Sequence, residues 1–525
     1  MKKTIITIAA FATLFGWAGC SDSFLDITNT SKISTNVFPA SMENMEQVVN
    51  TLYSMENQYN LYGSELLVRT ALVNDHSLDF RHNNTAEWNQ IGTHQIQASN
   101  AYIYQDWQGY YRMIGATNTV LESADKLAAK IKLNSTQTAR LDQMRGEAYF
   151  WRAWAHINLC CFFGEGYPCN GDGSKQGIPI LTSVTSSYAD ARKPRNTVDE
   201  VYAQVISDYK QAMSKLPKSW SSAADYPRPT YYAAESFLGQ AYLFQGDYTN
   251  AASSLKDVIN NSGKKLVDFA HYSHMFNADQ VKFNSESILE INNYSSSLGT
   301  GTLHARWISL CYINAAGKTV GTGWDNLFFH DANIARYGDD PRLHVVALEP
   351  GTPITIDGFS TVVSKYKNIE ANYKGWADRK YCELTTSIGK LPGTPYSGIN
   401  IHLMRLADVY LMCAEACQAS GDDASARTYV NVVRRRAWQD SNHDITSSGT
   451  TLRDEIREER FKELCAEGVQ HWQDVCRWKT LDQEISKYYT MTRSGAPVYS
   501  AKALYFPIPQ SEIENNPNMV QNTGY

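Results

Sequence analysis

The sequence predicts a mainly α fold, a superhelix of stacked helix pairs interrupted by a long irregular segment that carries a few short strands. Three observations predict it. Apolar residues recur at steps of three and four over several long stretches, two windows far apart share one repeat spacing, and from about 264 to 398 the helical period fades. The 525 residues then need only one repeat-built body.

Taken in chain order, Lys2 and Lys3 form a short basic stretch, Ile5 to Trp17 is almost unbroken apolar, and Ala18-Gly19 precede Cys20. This is the layout of a secretory signal over residues 1–19, too short for a spanning helix. A cysteine directly after Ala-Gly resembles a bacterial lipobox, whose thiol receives diacylglycerol; Trp17 departs from the leucine usual there. The expectation is lipidation at Cys20, a tether over 20–36 and a single domain over 37–525, held at a membrane by its acyl chains. Ser21-Asp22-Ser23 resembles the acidic stretch that directs some lipoproteins to the cell exterior. Nothing after residue 20 is long and apolar enough to span a bilayer.

Leu141, Met144, Ala148, Trp151, Ala155, Leu159 and Phe162 fall on one stripe of a helix that ends at Gly164-Glu165-Gly166-Tyr167-Pro168. A second helix reads from Val198 to Leu216, opened by Thr197 with Glu200 three residues on and closed before Pro217. Leu238, Gly239 and Tyr242, then Gly246-Asp247 and Ala251, stand at tetratricopeptide spacing, the small residues allowing two helices to approach closely. Ala414, Cys417, Gly421-Asp422 and Ala426 repeat that register, so Cys413 and Cys417 read as helix packing. Weaker helix pairs over 102–162 and 451–479 complete a tetratricopeptide-like superhelix. The domain thus divides into N-terminal repeats (37–263), a variable segment (264–398) with β-like runs at Ser287 to Ile291 and Thr361 to Ser364, and C-terminal repeats with a tail (399–525). A long loop of this kind is usually functional or disordered, and its many rings argue against disorder.

Composition narrows the partners. Charged residues are 19% and aromatics 12%, with 32 Tyr and 12 Trp, and the net charge is −6. A net acidic balance argues against nucleic acid as the main partner, since phosphate binding needs a basic face, and it leaves neutral ligands in play. Ten cysteines, one of them the anchor, leave an odd number without staple or CxxC spacing, read as small buried apolar residues.

Several motifs together resemble the RagB/SusD family of surface nutrient-binding lipoproteins. Ser23-Phe24-Leu25-Asp26 resembles the family's start. Arg145 to Ala153 with Phe163-Gly164 and Ile178-Pro179 resembles its long helix and the turn after it, and Glu200-Val201-Tyr202 with Leu216-Pro217 its second hallmark. Leu406 to Ala416, Asn431 to Ala437, Glu459 to Leu464, Glu467-Gly468, Asp474 and Arg477-Trp478 follow in family order. Phe506-Pro507-Ile508-Pro509, Glu512, Asn516-Pro517 and Gln521 to Tyr525 resemble the terminus, with Asp408, Phe461 and Thr523 as departures. The resemblance implies a tetratricopeptide-like scaffold with a variable ligand-bearing half, a lipid tether at the outer membrane and no cofactor. It also implies a partner, a SusC-like TonB-dependent transporter to which captured oligosaccharides, or in some members peptides, are delivered without catalysis.

The alternative chemistry is glycoside hydrolysis by Glu455, Glu458, Glu459 or Glu463. These interleave with Arg453, Arg457 and Arg460 at helical distances, which reads instead as an ion-paired helix face. His271 and His274 beside Asp268 read as a hydrogen-bonded group near a helix end, and Asn170-Gly171-Asp172-Gly173-Ser174 lacks the closing glutamate of a calcium loop. A sugar site needs flat rings for C–H faces and short polar groups for hydroxyls. Trp107, Trp151, Trp154, Trp472 and Trp478 sit in helical patterns and read as core. Loop character singles out Trp88 with Asp75, Arg81 and Asn89, then Tyr312, then Trp324 with Asp325, and Trp376. These are the glycan-binding candidates; the competing reading of each ring is a plug that holds its own loop on the scaffold.

Overall fold

Side-chain caps set the starts of the long N-terminal helices. The computed structural model describes residues 38–56, 61, 77–78, 86–272, 274–276, 282–294, 313–315, 318–320, 327–356, 359–363, 374–381, 398–486 and 499–525. Helices α1 (Met42–Glu56), α2 (Ala86–Gly92), α3 (Ala101–Lys130), α4 (Ser135–Phe163) and α5 (Val198–Met213) form its first part. Asn100 accepts from the Tyr102 and Ile103 amides at 3.0 and 3.4 Å. Asn134 with Gln137, and Thr197 with Glu200, close reciprocal capping boxes, the second as the sequence predicts. The core is aromatic: Trp107 meets Phe163 edge-on at 5.0 Å and Trp151 meets Trp154 at 5.4 Å, all four buried. Trp472 is also buried, whereas Trp478 is half-buried and donates to Glu415 at 2.8 Å.

The two predicted repeats are α6 (Tyr231–Gln245) with α7 (Tyr248–Asn261) and α8 (Leu406–Ala419) with α9 (Asp423–Trp438). Gly246 and Gly421 turn the chain between the helices at φ of 88° and 86°, the left-handed region that glycine enters without steric cost. Asp247 and Asp422 then cap the second helices, accepting from Asn250 N at 3.2 Å and Ser425 N at 3.0 Å. Helix α8 packs directly on α7, so the repeats stack although the variable segment separates them in sequence. Cys413 and Cys417 are buried in α8.

Helices α10 (Gly449–Leu464) and α11 (Gln470–Arg477) follow. Glu458, Glu459 and Glu463 of α10 pair with other elements rather than along their own helix as the sequence pattern suggested. Glu463 is buried and meets Arg405 at 2.6 Å, Arg342 at 3.0 Å and Arg436, while Glu459 meets Arg342 and Arg434, each at 2.8 Å. Arg460 turns to Asp408 and Asp474 at 2.9 and 2.8 Å. The physical reason is burial, since a desolvated charge needs an opposite charge at short range and α10 lies inside the packed helices. The C-terminal tail returns to α4: Asn522 Nδ2 donates to the carbonyls of Phe163 and Phe506 at 2.9 and 2.7 Å.

Strands are short. β1 (Ser77–Leu78) pairs with β5 (Leu327–Phe328), and β2 (Ser287–Ile291) pairs with β10 (Ile401–Arg405). A four-stranded antiparallel sheet has the order β4 (Lys318–Val320), β3 (Ile313–Ala315), β8 (Phe359–Val363), β7 (Pro353–Ile356). β6 (Ala347–Leu348) pairs with β9 (Ala377–Asp378). The predicted run at Ser287 to Ile291 is β2, and that at Thr361 to Ser364 overlaps β8.

Candidate functional site

Three sequence windows that carry ring candidates converge through backbone pairing. Ser77 and Leu78 stand opposite Phe328 and Leu327, which draws the segment after α1 onto the variable segment. One residue on, Phe329 bridges Trp376, its amide donating to the Trp376 carbonyl at 2.9 Å. The Lys374 amide donates to Asp331 Oδ2 at 3.2 Å, closing the turn before Trp376. His330 caps the short helix Asp331–Ala335, and burial pulls its imidazole down to about 4, so it is neutral at physiological pH.

The rings in these windows divide. Trp88 lies on α2, not in an aperiodic loop, and is buried to 1% exposure, with the ring of Tyr102 edge-on at 6.1 Å. Trp376 is 4% exposed and packs with Phe329, Tyr337 and Phe461 in a satellite core. A stacking platform must offer a face to its ligand, and neither ring does so here; both act as the plugs that fix their segments on the scaffold. Asn89 belongs to α2, but its side chain lies outside the described residues, as do Asp75, Arg81, Tyr312, Trp324, Asp325 and the anchor Cys20.

The other sequence candidates resolve into structural pairs. His271 Nδ1 lies 2.8 Å from Asp268 Oδ1 at the start of the short helix Phe269–Tyr272, an exposed pair. Asp172 meets Lys175 at 2.8 Å and Lys479 at 3.5 Å, and Gly171 follows a short 3-10 turn. Among the described residues no group of three His, Cys, Asp or Glu side chains is placed to hold a metal ion. Glu463 is held well below the carboxylate range: burial pushes it up, but the Arg436, Arg405 and Arg342 guanidinium groups together outweigh that. A carboxylate so held cannot serve as the protonated acid of glycoside hydrolysis.

Sequence reasoning missed a groove of about 390 Å³ where Trp220, Tyr226 and Phe283 gather around lysines and short hydroxyl groups. The available signal was two rings in the Ser- and Pro-rich stretch 217–230, between two predicted helices.

Two family models match the chain. One, described as starch-binding and associating with the outer membrane, covers residues 23–243, and that of the SusD family covers 354–525. A curated relative, SusD-like protein P2 of Formosa agariphila, is 25% identical over the full length of both chains. A SusD superfamily protein from Bacteroides thetaiotaomicron superposes with a TM-score of 0.71 at 25% identity, covering 92% of this chain and 99% of its own. A laminarin-binding SusD-like protein does so with a TM-score of 0.74 at 21% identity, with the same two coverages.

Proposed function

The chain belongs to the SusD/RagB family of glycan-binding proteins associated with the outer membrane, and from that premise we propose that it captures oligosaccharides for a SusC-like TonB-dependent transporter. In this reading Cys20 carries the lipid anchor, the protein faces the cell exterior, and it passes its ligand on unchanged. The observation that carries the reading is the convergence of the β1, β5 and Trp376 segments, because a preformed face on a rigid scaffold is what weakly binding sugar hydroxyls require. Asp75, Arg81, Asn89, Tyr312, Trp324 and Asp325 are the proposed contacts. Trp88 and Trp376 hold the segments that carry them.

The ion pairs of Glu459 and Glu463, and the lowered carboxyl of Glu463, favour binding over hydrolysis. Native affinity electrophoresis against plant, microbial and host polysaccharides tests the proposal: at least one glycan retards the protein, and no new reducing ends appear on incubation. Retardation by none, with retention of an oligopeptide mixture instead, would replace glycan by peptide as the cargo.

A further inference from the structure

The groove around Trp220 lies between the loop entering α6, the turn after α7 and the segment leading into β2. Its lining is biased in charge, with Lys218, Arg228 and Lys264 and no carboxylate among the described residues, in a chain that is net acidic. Arg228 is already engaged, by Glu147 at 2.6 Å and Asp225 at 2.9 Å. The two lysines make no ion pair among the described residues. Lys218 stands 5.5 and 5.6 Å from the ring centroids of Tyr231 and Tyr232, and burial draws the half-buried Lys264 ammonium below its usual value.

The rings of the groove are held in place from behind. Trp220 Nε1 donates to the carbonyls of Arg228 and Pro229 at 3.2 and 3.1 Å, which fixes the indole. Tyr226, 46% exposed, meets Phe283 edge-on at 6.0 Å and links the two walls. Phe283 has a φ of 55°, an uncommon conformation for a bulky residue. Its amide is held there by both oxygens of Glu290, at 3.0 and 3.1 Å. Burial would raise the Glu290 carboxyl, but His402 at 3.3 Å and Asn400 at 2.8 Å help to hold it down at about 2, so this brace stays charged. The Lys265 amide ties the third wall to the second through the Ser285 carbonyl at 3.0 Å.

We propose that this groove is a saccharide site of its own that takes acidic oligosaccharides whose pyranose rings bear a carboxylate or a sulfate group. Trp220 and Tyr226 offer surface to C–H faces, Lys218 and Lys264 pair the acid group, and Ser219, Thr230 and Asn284 supply partners for hydroxyls. The inference stands whether or not the loop face binds glycan, because it uses none of those residues.

Isothermal titration of the full chain tests it with four probes: trigalacturonate, a sulfated heparin disaccharide, neutral maltotriose and pentaglutamate. One or both acidic sugars bind, and which one assigns carboxylate or sulfate. Binding weakens about tenfold or more in Lys218→Ala/Lys264→Ala, and also as salt screens the charges. Tyr226→Ala, at an exposed position that leaves the fold intact, weakens it as well, which a charge effect alone would not produce. Failure of both acidic sugars to bind at millimolar concentration overturns the proposal. So does binding undiminished in both variants, or pentaglutamate binding as tightly as either sugar.

Discussion

Gly239 lies so close to Leu255 that a Cβ built on it would come within 2.7 Å of the leucine side chain. Helices α6 and α7 therefore meet on bare backbone at this point. Gly239→Ala gains about 1 kcal/mol of helix propensity but forces the buried Leu255 to repack, at about 1–3 kcal/mol. The expected net effect is a loss of stability, read as a lower Tm.

Arg405, Arg436 and Arg342 converge on Glu463 inside the molecule, and removing one side of such a group leaves charge uncompensated. Glu463→Gln is expected to cost about 3–5 kcal/mol in denaturant unfolding at pH 7. The folded carboxyl lies below its unfolded value, so its contribution is present above about pH 4.5 and is lost as the pH falls toward the folded pKa. The variant should show a shallower acid limb than the parent; an identical acid limb would count against the ion network.

Glu235 behaves in the opposite sense. Burial, and then a hydrogen bond and charge repulsion from Asp257, push its carboxyl up to about 8. The folded state thus binds a proton that the unfolded state releases near pH 4.5, and stability falls as pH rises between those values. Glu235→Gln removes this slope and stabilises the protein at pH 9 by about 1–3 kcal/mol. Chemical denaturation at pH 5 and pH 9 measures the difference.

Trp88 and Trp324 test the division between scaffold and proposed ligand contact. Trp88→Ala empties a buried site and should lower stability by about 3–5 kcal/mol. Trp324→Ala should leave Tm nearly unchanged and reduce glycan retention in the native gel. The reverse pattern would remove Trp324 from the proposed contacts.

What could be read in the sequence was local. The Thr197–Glu200 box is a three-residue relation, and the Gly239, Gly246 and Ala251 spacing is set within one helix pair, so both appear in the structure as written. The partners of Glu463 come from positions 342, 405 and 436, and no helical period connects those to α10. Trp88 was misread because α2 is only seven residues long and too short to show a period, so its polar neighbours suggested a loop. The groove around Trp220 was invisible for a similar reason: its walls come from 218–232, 262–264 and 283–289, and only the tertiary fold brings them together.

The pairing of β2 with β10 has a consequence for chain statistics. Ile291 stands opposite Ile401, so the excursion from 292 to 400 leaves and re-enters the scaffold at one rung of a ladder. Its ends are pinned whatever lies between them, and the entropy of closing such a loop grows only with the logarithm of its length, by about 0.6 kcal/mol per doubling. The stretches of the excursion away from Arg342, Lys380 and the Phe329, Tyr337 and Trp376 contacts can therefore change in length at little cost, whereas those residues are built into the core.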